Sequence, residues 1–304
     1  MDIRALRYFT EVVQYNGFSR AAEALFVTQP AISRSIQKLE HELGFPLLVR
    51  DTGGVTLTDE GAILYEHARR ILVQFQCMNK ALQDKSGPLT GTLNVGLPPV
   101  IASTWFAGII MAFTSRHPQV ELKIFELGTK QMAEAMTDGT VETAAVMLPF
   151  DEQLFELHRF ATDRLMLLVN HQHPLAAKKQ VSFAEIIREP FVFFSEAFRI
   201  NDLVRSACGI YSTEPVVAGR SNHLDLILAM VRAGVGITLL PDSMWRERTA
   251  DGLVLLPVTE PVLSYDLALA GVRGGYQSRS CRAWNALAME ILGIPYVTGA
   301  GHLL

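Results

Sequence analysis

The feature that most constrains this fold is a change of hydrophobic period at Ser86-Gly87-Pro88. Before it, apolar residues recur three and four apart, as one face of an α-helix requires; after it, short β-rich runs alternate with helical stretches. Adjacent glycine and proline cannot continue a helix, so the chain divides there into a helical part and an α/β part. With 304 residues, 49% hydrophobic and 19% charged, there is apolar surface for two or three cores and no compositional case for disorder. The formal net charge of −4 excludes a protein that coats nucleic acid by bulk attraction, so any contact with DNA depends on local placement of basic groups.

In the helical part, Leu6, Phe9 and Val13 predict a first helix that breaks at Asn16-Gly17. Ser19 is placed to cap a short second helix over 20–26, and Thr28 to cap a third that ends at Gly44. Ile32, Ile36, Leu39 and Leu43 form the apolar stripe of that third helix, leaving Arg34, Gln37, Lys38 and His41 opposite. The short gap between the second and third helices is that of a helix-turn-helix. Two short runs, 45–50 and 55–57, flank Gly53-Gly54 and predict a hairpin, or wing. A long helix follows from Thr58 to about Lys85, with Asp59 and Glu60 at its positive end. Its residues Leu64, Ala68, Ile71, Phe75, Met78 and Leu82 alternate four and three apart. Such a heptad seam packs against a partner helix or along a face of its own domain.

Beyond the break, strands are expected at 92–97, 120–126, 143–148, 164–170, 191–194, 214–218, 236–240, 253–257 and 265–271. Helices are expected at 101–116, 129–138, 182–188, 201–208, 222–233 and 278–292. This alternation implies parallel sheets wrapped by helices. The apolar stretch Leu93–Phe113 approaches the length of a membrane span, but Asn94, Pro98 and Pro99 break it into a strand, a turn and a helix.

Other clusters point away from catalysis. Cys77, Cys208 and Cys281 are scattered and odd in number, which suits a reducing cytoplasm and gives neither a disulfide framework nor a zinc site. A redox sensor would need Cys208 as a thiolate beside a resolving cysteine, and Cys281 is distant in sequence, so packed thiols are expected. Asp2, Arg4, Arg7 and Glu11 interrupt the apolar core that a secretory signal requires. His171 and His173 read as turn residues without a third metal ligand, and Glu185 and Glu189 as a solvated helical face. No phosphate cradle, zinc-protease pair or nucleophile elbow is present. The expectation is therefore no catalytic residue, no metal, no cofactor and no enzyme.

The stretch Ser19–Leu43, SRAAEALFVTQPAISRSIQKLEHEL, resembles the helix-turn-helix of LysR-type transcriptional regulators. Ala21-Ala22, Thr28-Gln29-Pro30-Ala31, Ser33 and Leu39-Glu40 stand at family positions. The wing Leu47–Arg50 with Leu57, Thr58 and Gly61, the long helix, and the segments 173–176 and 232–241 are similar too. The resemblance implies an N-terminal all-α winged helix-turn-helix (1–58), a linker and dimerisation helix (59–86) and a C-terminal α/β effector-binding domain (87–304). That last domain is expected to be bilobed and periplasmic-binding-protein-like, with lobe one at 92–162 and 267–304 and lobe two at 163–266. The implied function is sequence-specific transcription regulation in the cytoplasm, modulated by a small-molecule effector bound between the lobes. The implied partners are a double-stranded DNA operator and further copies of the chain, as a homodimer through the seam or a homotetramer through the sensing domains, with no membrane.

The chemistry of the motif is consistent with this. A helix fits the major groove, and its N-terminal end presents free N–H groups and a positive dipole to phosphate. Thr28, Gln29, Pro30 and Ala31 occupy that end. Gln29 is suited to reading adenine, Pro30 to a thymine methyl, Arg34 to guanine or phosphate, and Ser33 to either. Lys38 and Arg50 are suited to backbone phosphate. Residues 1–58 hold six basic and six acidic groups, and Gly53 and Gly54 stand where family wings often carry another arginine. Modest affinity per module, and reliance on several half-sites, is the consequence.

In open α/β sheets, ligands gather at the carboxyl ends of strands. One wall of the effector site is therefore expected from Pro98, Pro99, Val100, Ile101, Ser103, Gly128, Thr129, Met147 and Pro149. The other is expected from Ser195, Phe198, Arg199, Asn222 and His223. Val100 and Met147 make the pocket partly hydrophobic, while Arg199, His223 and helix N-termini suit an anion. A small carboxylate or an aromatic acid is the expected effector.

Overall fold

The computed structural model describes residues 1–51, 54–83, 87–245 and 252–294. The chain forms two compact units, Met1–Ser86 with Thr137–Gly139, and Gly87–Met136 with Thr140–Leu304.

In the first unit, helices α1 (Ile3–Gln14), α2 (Phe18–Ala24) and α3 (Gln29–Leu43) close around Phe9, Val12, Ala21, Ile32, Ile36 and Leu39. The aspartate at position 2 caps α1, accepting a hydrogen bond from the Ala5 amide at 2.7 Å. Two local expectations are corrected. Helix α2 starts at Phe18 after Gly17, so Ser19 lies inside it; burial of the Phe18 ring brings that residue into the first turn. In α1 the fully buried position is Val12, with Val13 at the edge of the core. Thr28 does occupy the N-cap of α3, but its side chain makes no cap bond. Gly44 ends the helix at φ 83°, a conformation that costs glycine little.

The wing consists of β1 (Leu48–Asp51) and β2 (Gly54–Leu57), paired antiparallel. It is tied to the helices at both ends. At its root, the Glu40 carboxylate accepts from the Leu47 amide at 2.8 Å and the Leu48 amide at 3.3 Å. Near its tip, the side-chain oxygen of Asn16 accepts from the Val55 amide at 2.8 Å. Asn16 itself sits at φ 47°, which asparagine tolerates better than most residues. Helix α4 (Asp59–Gln83) then starts hard against the wing root. The Thr58 hydroxyl accepts from the Gly61 amide at 2.9 Å and donates to the Pro46 carbonyl at 2.8 Å. A Cβ on Gly61 would lie 2.0 Å from the Leu47 oxygen, so only glycine fits there.

Along α4 the heptad seam divides. Ala68 is buried and Leu64 packs on the core of its own unit. Ile71, Phe75, Met78 and Leu82 are 42%, 40%, 48% and 72% exposed. Among the described residues no helix is long and apolar enough to cross a membrane.

The second unit begins with β3 (Gly91–Gly96), α5 (Pro99–Ile101), a π-helical turn (Ala102–Phe106) and α6 (Ala107–Arg116). Then come β4 (Val120–Phe125), α7 (Thr129–Thr137), β5 (Thr143–Met147), β6 (Phe155–Asn170), β7 (Val181–Ser182) and α8 (Phe183–Ile186). The last elements are β8 (Pro190–Phe194), α9 (Ile200–Ile210), β9 (Val216–Ser221), α10 (Leu224–Arg232), β10 (Thr238–Pro241), β11 (Leu253–Thr259), β12 (Ser264–Val272) and α11 (Arg279–Leu292). The main sheet runs β4-β3-β5-β12-β6-β11-β7 with β10 also on β6, and β8-β9 form a second sheet.

The main sheet is mixed, which corrects the all-parallel expectation. Parallel pairs are β3–β4, β3–β5, β8–β9 and β11–β7, whereas β12 and β6 pair antiparallel with each other, β12 with β5, and β6 with β10 and β11. The cause is the length of β6. It spans 16 residues, far more than the expected 164–170, with Phe155–Arg164 on β12 and Leu165–Asn170 on β10 and β11. Its second half is a continuous buried run; its first half alternates with solvent and carries no comparable apolar signal. Strand β9 falls at Val216–Ser221, not 214–218, because Pro215 has no N–H for a ladder. The helix expected at 101–116 starts at Pro99 and contains the π turn, which turns Trp105 and Phe106 inward together. Both rings meet Phe160 edge-on at centroid distances of 5.7 and 6.0 Å, and Phe106 also stacks on Trp284.

The asparagine between α1 and α2 gives a direct test of the wing attachment. Asn16→Gly keeps the backbone conformation but removes the acceptor, at a cost of about 1 kcal/mol, and faster hydrogen exchange is expected at the Val55 amide. Asn16→Asp retains an acceptor and should leave that exchange slow.

Candidate functional site

Two regions gather the residues singled out in the sequence. On α3 the apolar positions Ile32, Ile36 and Leu39 face the core, and the opposite positions are turned out. Thr28, Pro30, Arg34 and Lys38 are exposed; Gln29, Ala31 and Ser33 are half-buried. The Arg34 Nε donates to the Pro30 carbonyl at 3.3 Å, and the Lys38 ammonium lies 3.9 Å from Glu42. Both contacts are exposed, and such pairs are weak enough to exchange for phosphate or base. Arg50 belongs to β1, but its side chain lies outside the described residues.

Phe26 was not anticipated. It occupies the turn before α3, is 95% exposed and holds φ 54°, a left-handed conformation that is an outlier for a bulky side chain. Its amide donates to the Glu23 carbonyl at 3.2 Å, so the residue terminates α2 as glycine usually does.

In the second unit a cavity of about 80 Å³ opens at the carboxyl ends of β3, β5 and β8. Nine expected residues line it: Pro98, Pro99, Val100, Ile101, Gly128, Thr129, Met147, Phe198 and Arg199. Leu127, Met132, Ala145, Val146, Phe194, Ile200, Pro241 and Tyr265 complete the lining. Five expected residues stand outside it. Ser103 donates its hydroxyl to the Val100 carbonyl at 3.2 Å, within its own helix. Pro149 meets the site only through its carbonyl oxygen, which accepts from Arg199 Nη1 at 2.6 Å. The Ser195 amide donates to the Ser221 carbonyl, while Asn222 and His223 lead into α10, with the His223 amide donating to the Ser221 hydroxyl at 3.0 Å.

The two walls touch. The Thr129 amide donates to the Ala197 carbonyl at 3.2 Å, and a Cβ on Gly128 would fall 2.2 Å from that same oxygen. At the floor, Tyr265 donates its hydroxyl to Asp163 at 3.4 Å. The same carboxylate accepts from the Ser243 hydroxyl, the Ser243 amide and the Arg164 amide. Burial first, and then the adjacent Asp163, push the Tyr265 phenol up, so it stays neutral.

The remaining clusters are structural. The imidazole of His173 accepts from the Leu175 amide and lies 3.6 Å from Glu189, while His171 faces the Gly252 carbonyl at 3.2 Å. Glu185 takes hydrogen bonds from Lys178 and the Ser182 amide, which hold its carboxyl down at about 2. No group of three metal ligands occurs among the described residues. Cys208 and Cys281 are buried in separate cores, and burial pushes the Cys208 thiol up, away from the thiolate form; the side chain of Cys77 lies outside the described residues.

Comparison with known proteins decides the family. Residues 3–62 match the bacterial regulatory helix-turn-helix protein, lysR family, and residues 86–292 match the LysR substrate binding domain. The chain belongs to the LysR family. LysR-type proteins of this build are DNA-binding transcriptional regulators with an effector-binding domain, not enzymes. The chain is 34% identical to the uncharacterized HTH-type transcriptional regulator YwbI of Bacillus subtilis, over 93% of this chain and 94% of that one. A full-length OxyR variant from Pseudomonas aeruginosa has the same fold, with a TM-score of 0.71 and 27% identity over 97% of this chain and 96% of that one. Full-length BenM, at 26% identity and 96% coverage of both chains, superposes with a TM-score of 0.58. The two-lobe LysR sensing domain accounts for the cleft, and the family helix-turn-helix for α2 and α3.

The turn before α3 carries a prediction of its own. Phe26→Gly relieves the left-handed strain and is expected to stabilise the chain by about 1 kcal/mol. Thermal unfolding measures it; a lower unfolding temperature would mean that the exposed ring has a packing role.

Proposed function

We propose that this LysR-family regulator reads an operator through the N-terminal end of α3, with Gln29, Pro30, Ala31 and Ser33 toward the bases. Thr28, Arg34, Lys38 and Arg50 engage phosphate, and Arg34 also reaches guanine. The observation that carries this reading is the division of α3, with Ile32, Ile36 and Leu39 buried and Thr28, Pro30, Arg34 and Lys38 exposed on the other side. Residues 1–58 act as the DNA-binding module, 59–86 as linker and 87–304 as sensor, with the effector held between lobe one (92–162 and 267–304) and lobe two (163–266). A small carboxylate or aromatic acid suits a cleft that is largely apolar around one guanidinium. The regulator works in the cytoplasm, where its DNA is.

The exposed end of the α4 seam supports a homodimer, which presents two recognition helices to a two-fold site. By the family's precedent, sensing domains then join dimers into a homotetramer.

The recognition surface is tested with a duplex selected by the chain itself from a random pool. The double variant Gln29→Ala, Arg34→Ala is expected to lose the preference for that duplex by about a hundredfold or more, with an unchanged unfolding temperature. Unaltered preference would remove these residues from the interface. For the seam, Phe75→Glu with Leu82→Glu is expected to convert a dimer to a monomer in sedimentation velocity; a monomeric parent chain at micromolar concentration would reject the dimer.

A further inference from the structure

Among the described residues, the cleft lining contains a single charged side chain. Arg199 stands at the start of α9, and the surface around it is carbon from Val100, Ile101, Met132, Val146, Met147 and Phe198. A guanidinium has five N–H donors, and the hydrogen bond to the Pro149 carbonyl engages one of them. Asp163 is not part of the lining; it lies behind Tyr265, where its carboxylate accepts from Tyr265, Ser243 and the Arg164 amide.

We propose that the cleft takes a short aliphatic monocarboxylate, its charge on Arg199 and its carbon chain against the apolar wall. This rests on the reading of the cleft as the effector site and narrows it. Charge sets the valence: a dianion or a phosphate would leave one negative charge uncompensated in a low-dielectric wall, and a neutral ligand would give Arg199 nothing better than the carbonyl it has. Volume sets the size. At about 80 Å³ the cavity is roughly half of the ~150 Å³ that admits benzene, so an aromatic acid is too large for walls in this disposition, whereas a short branched chain fits.

The same geometry links occupancy to the walls. Pro149 follows β5 on one side and Arg199 precedes α9 on the other, so their hydrogen bond spans the cleft. Bonds between a guanidinium and a carboxylate are about twice as strong as those to neutral acceptors. A bound acid therefore draws Arg199 away from the Pro149 oxygen and loosens one of the ties between the two sides.

The experiment is calorimetric titration of the full chain with isobutyrate, isobutyramide and benzoate at millimolar concentration. Saturable binding of isobutyrate is expected, with the amide and benzoate weaker by about tenfold or more. Arg199→Gln should abolish the preference for the acid over its amide, and Val100→Trp should fill the cleft and abolish binding altogether. Met147→Phe serves the same purpose if Val100→Trp lowers the unfolding temperature. Binding of benzoate or isobutyramide as tight as that of isobutyrate, still removed by the filling variant, would overturn the monocarboxylate and leave the cleft standing. Isobutyrate binding that survives both filling variants would overturn the cleft itself. No heat from any of the three would overturn the proposal of a short acid.

Discussion

The antiparallel ladder between β6 and β12 is the constraint on which the sensing unit depends, running from Phe155 opposite Val272 to Arg164 opposite Ser264. Side chains alternate across a strand, so this register decides what reaches the cleft. Tyr265 lies directly opposite Asp163, both turned inward, and the two share a hydrogen bond at the cavity floor. Their neighbours Asp266 and Thr162, also paired, face solvent, where Asp266 meets the Thr162 hydroxyl at 2.6 Å and Arg159 at 3.3 Å. A slip of one residue would exchange these sets, putting an ion pair into the apolar floor and a phenol into water. The wide satisfaction of Asp163 by Ser243, Arg164 and Tyr265 makes that exchange costly.

Much of this was legible in the sequence where a single local signal is strong. Gly44, the stripe Ile32-Ile36-Leu39 and the wing around Gly54 are local choices, each made by one or a few residues, and the structure has them where expected. The first half of β6 was not legible, because residues 155–163 pair with a strand about a hundred positions later and are half wet on one face. The cleft divides in the same way. Residues that directly follow strand ends, such as Val100, Thr129 and Arg199, could be named from topology alone. Met132 and Tyr265 could not, since they reach the cavity from within a helix and from a crossing strand. Partners this far apart in sequence leave no mark on local periodicity.

Polar residues in the DNA-binding unit show a further division of labour. Glu40 and Thr58 stand at positions that carry the family resemblance, yet their side chains point to protein: Glu40 holds the wing root and Thr58 the start of α4. Their role is to fix the angle at which the wing and α3 are presented together. Gly61 serves the same junction by leaving room for the Leu47 carbonyl. The resemblance in this segment is therefore as much a record of how the module is assembled as of what it touches.

In the proposed homodimer, the bare end of α4 would set how the regulator responds to its own abundance. Ile71, Phe75, Met78 and Leu82 are left in water by one chain, and the free energy recovered by covering them grows with protein concentration. If pairing of chains precedes occupation of a two-fold site, the fraction of sites filled rises with roughly the square of the amount of protein present while single chains predominate. Under that proposal, synthesis rate would become a control knob in its own right, acting alongside the proposed effector.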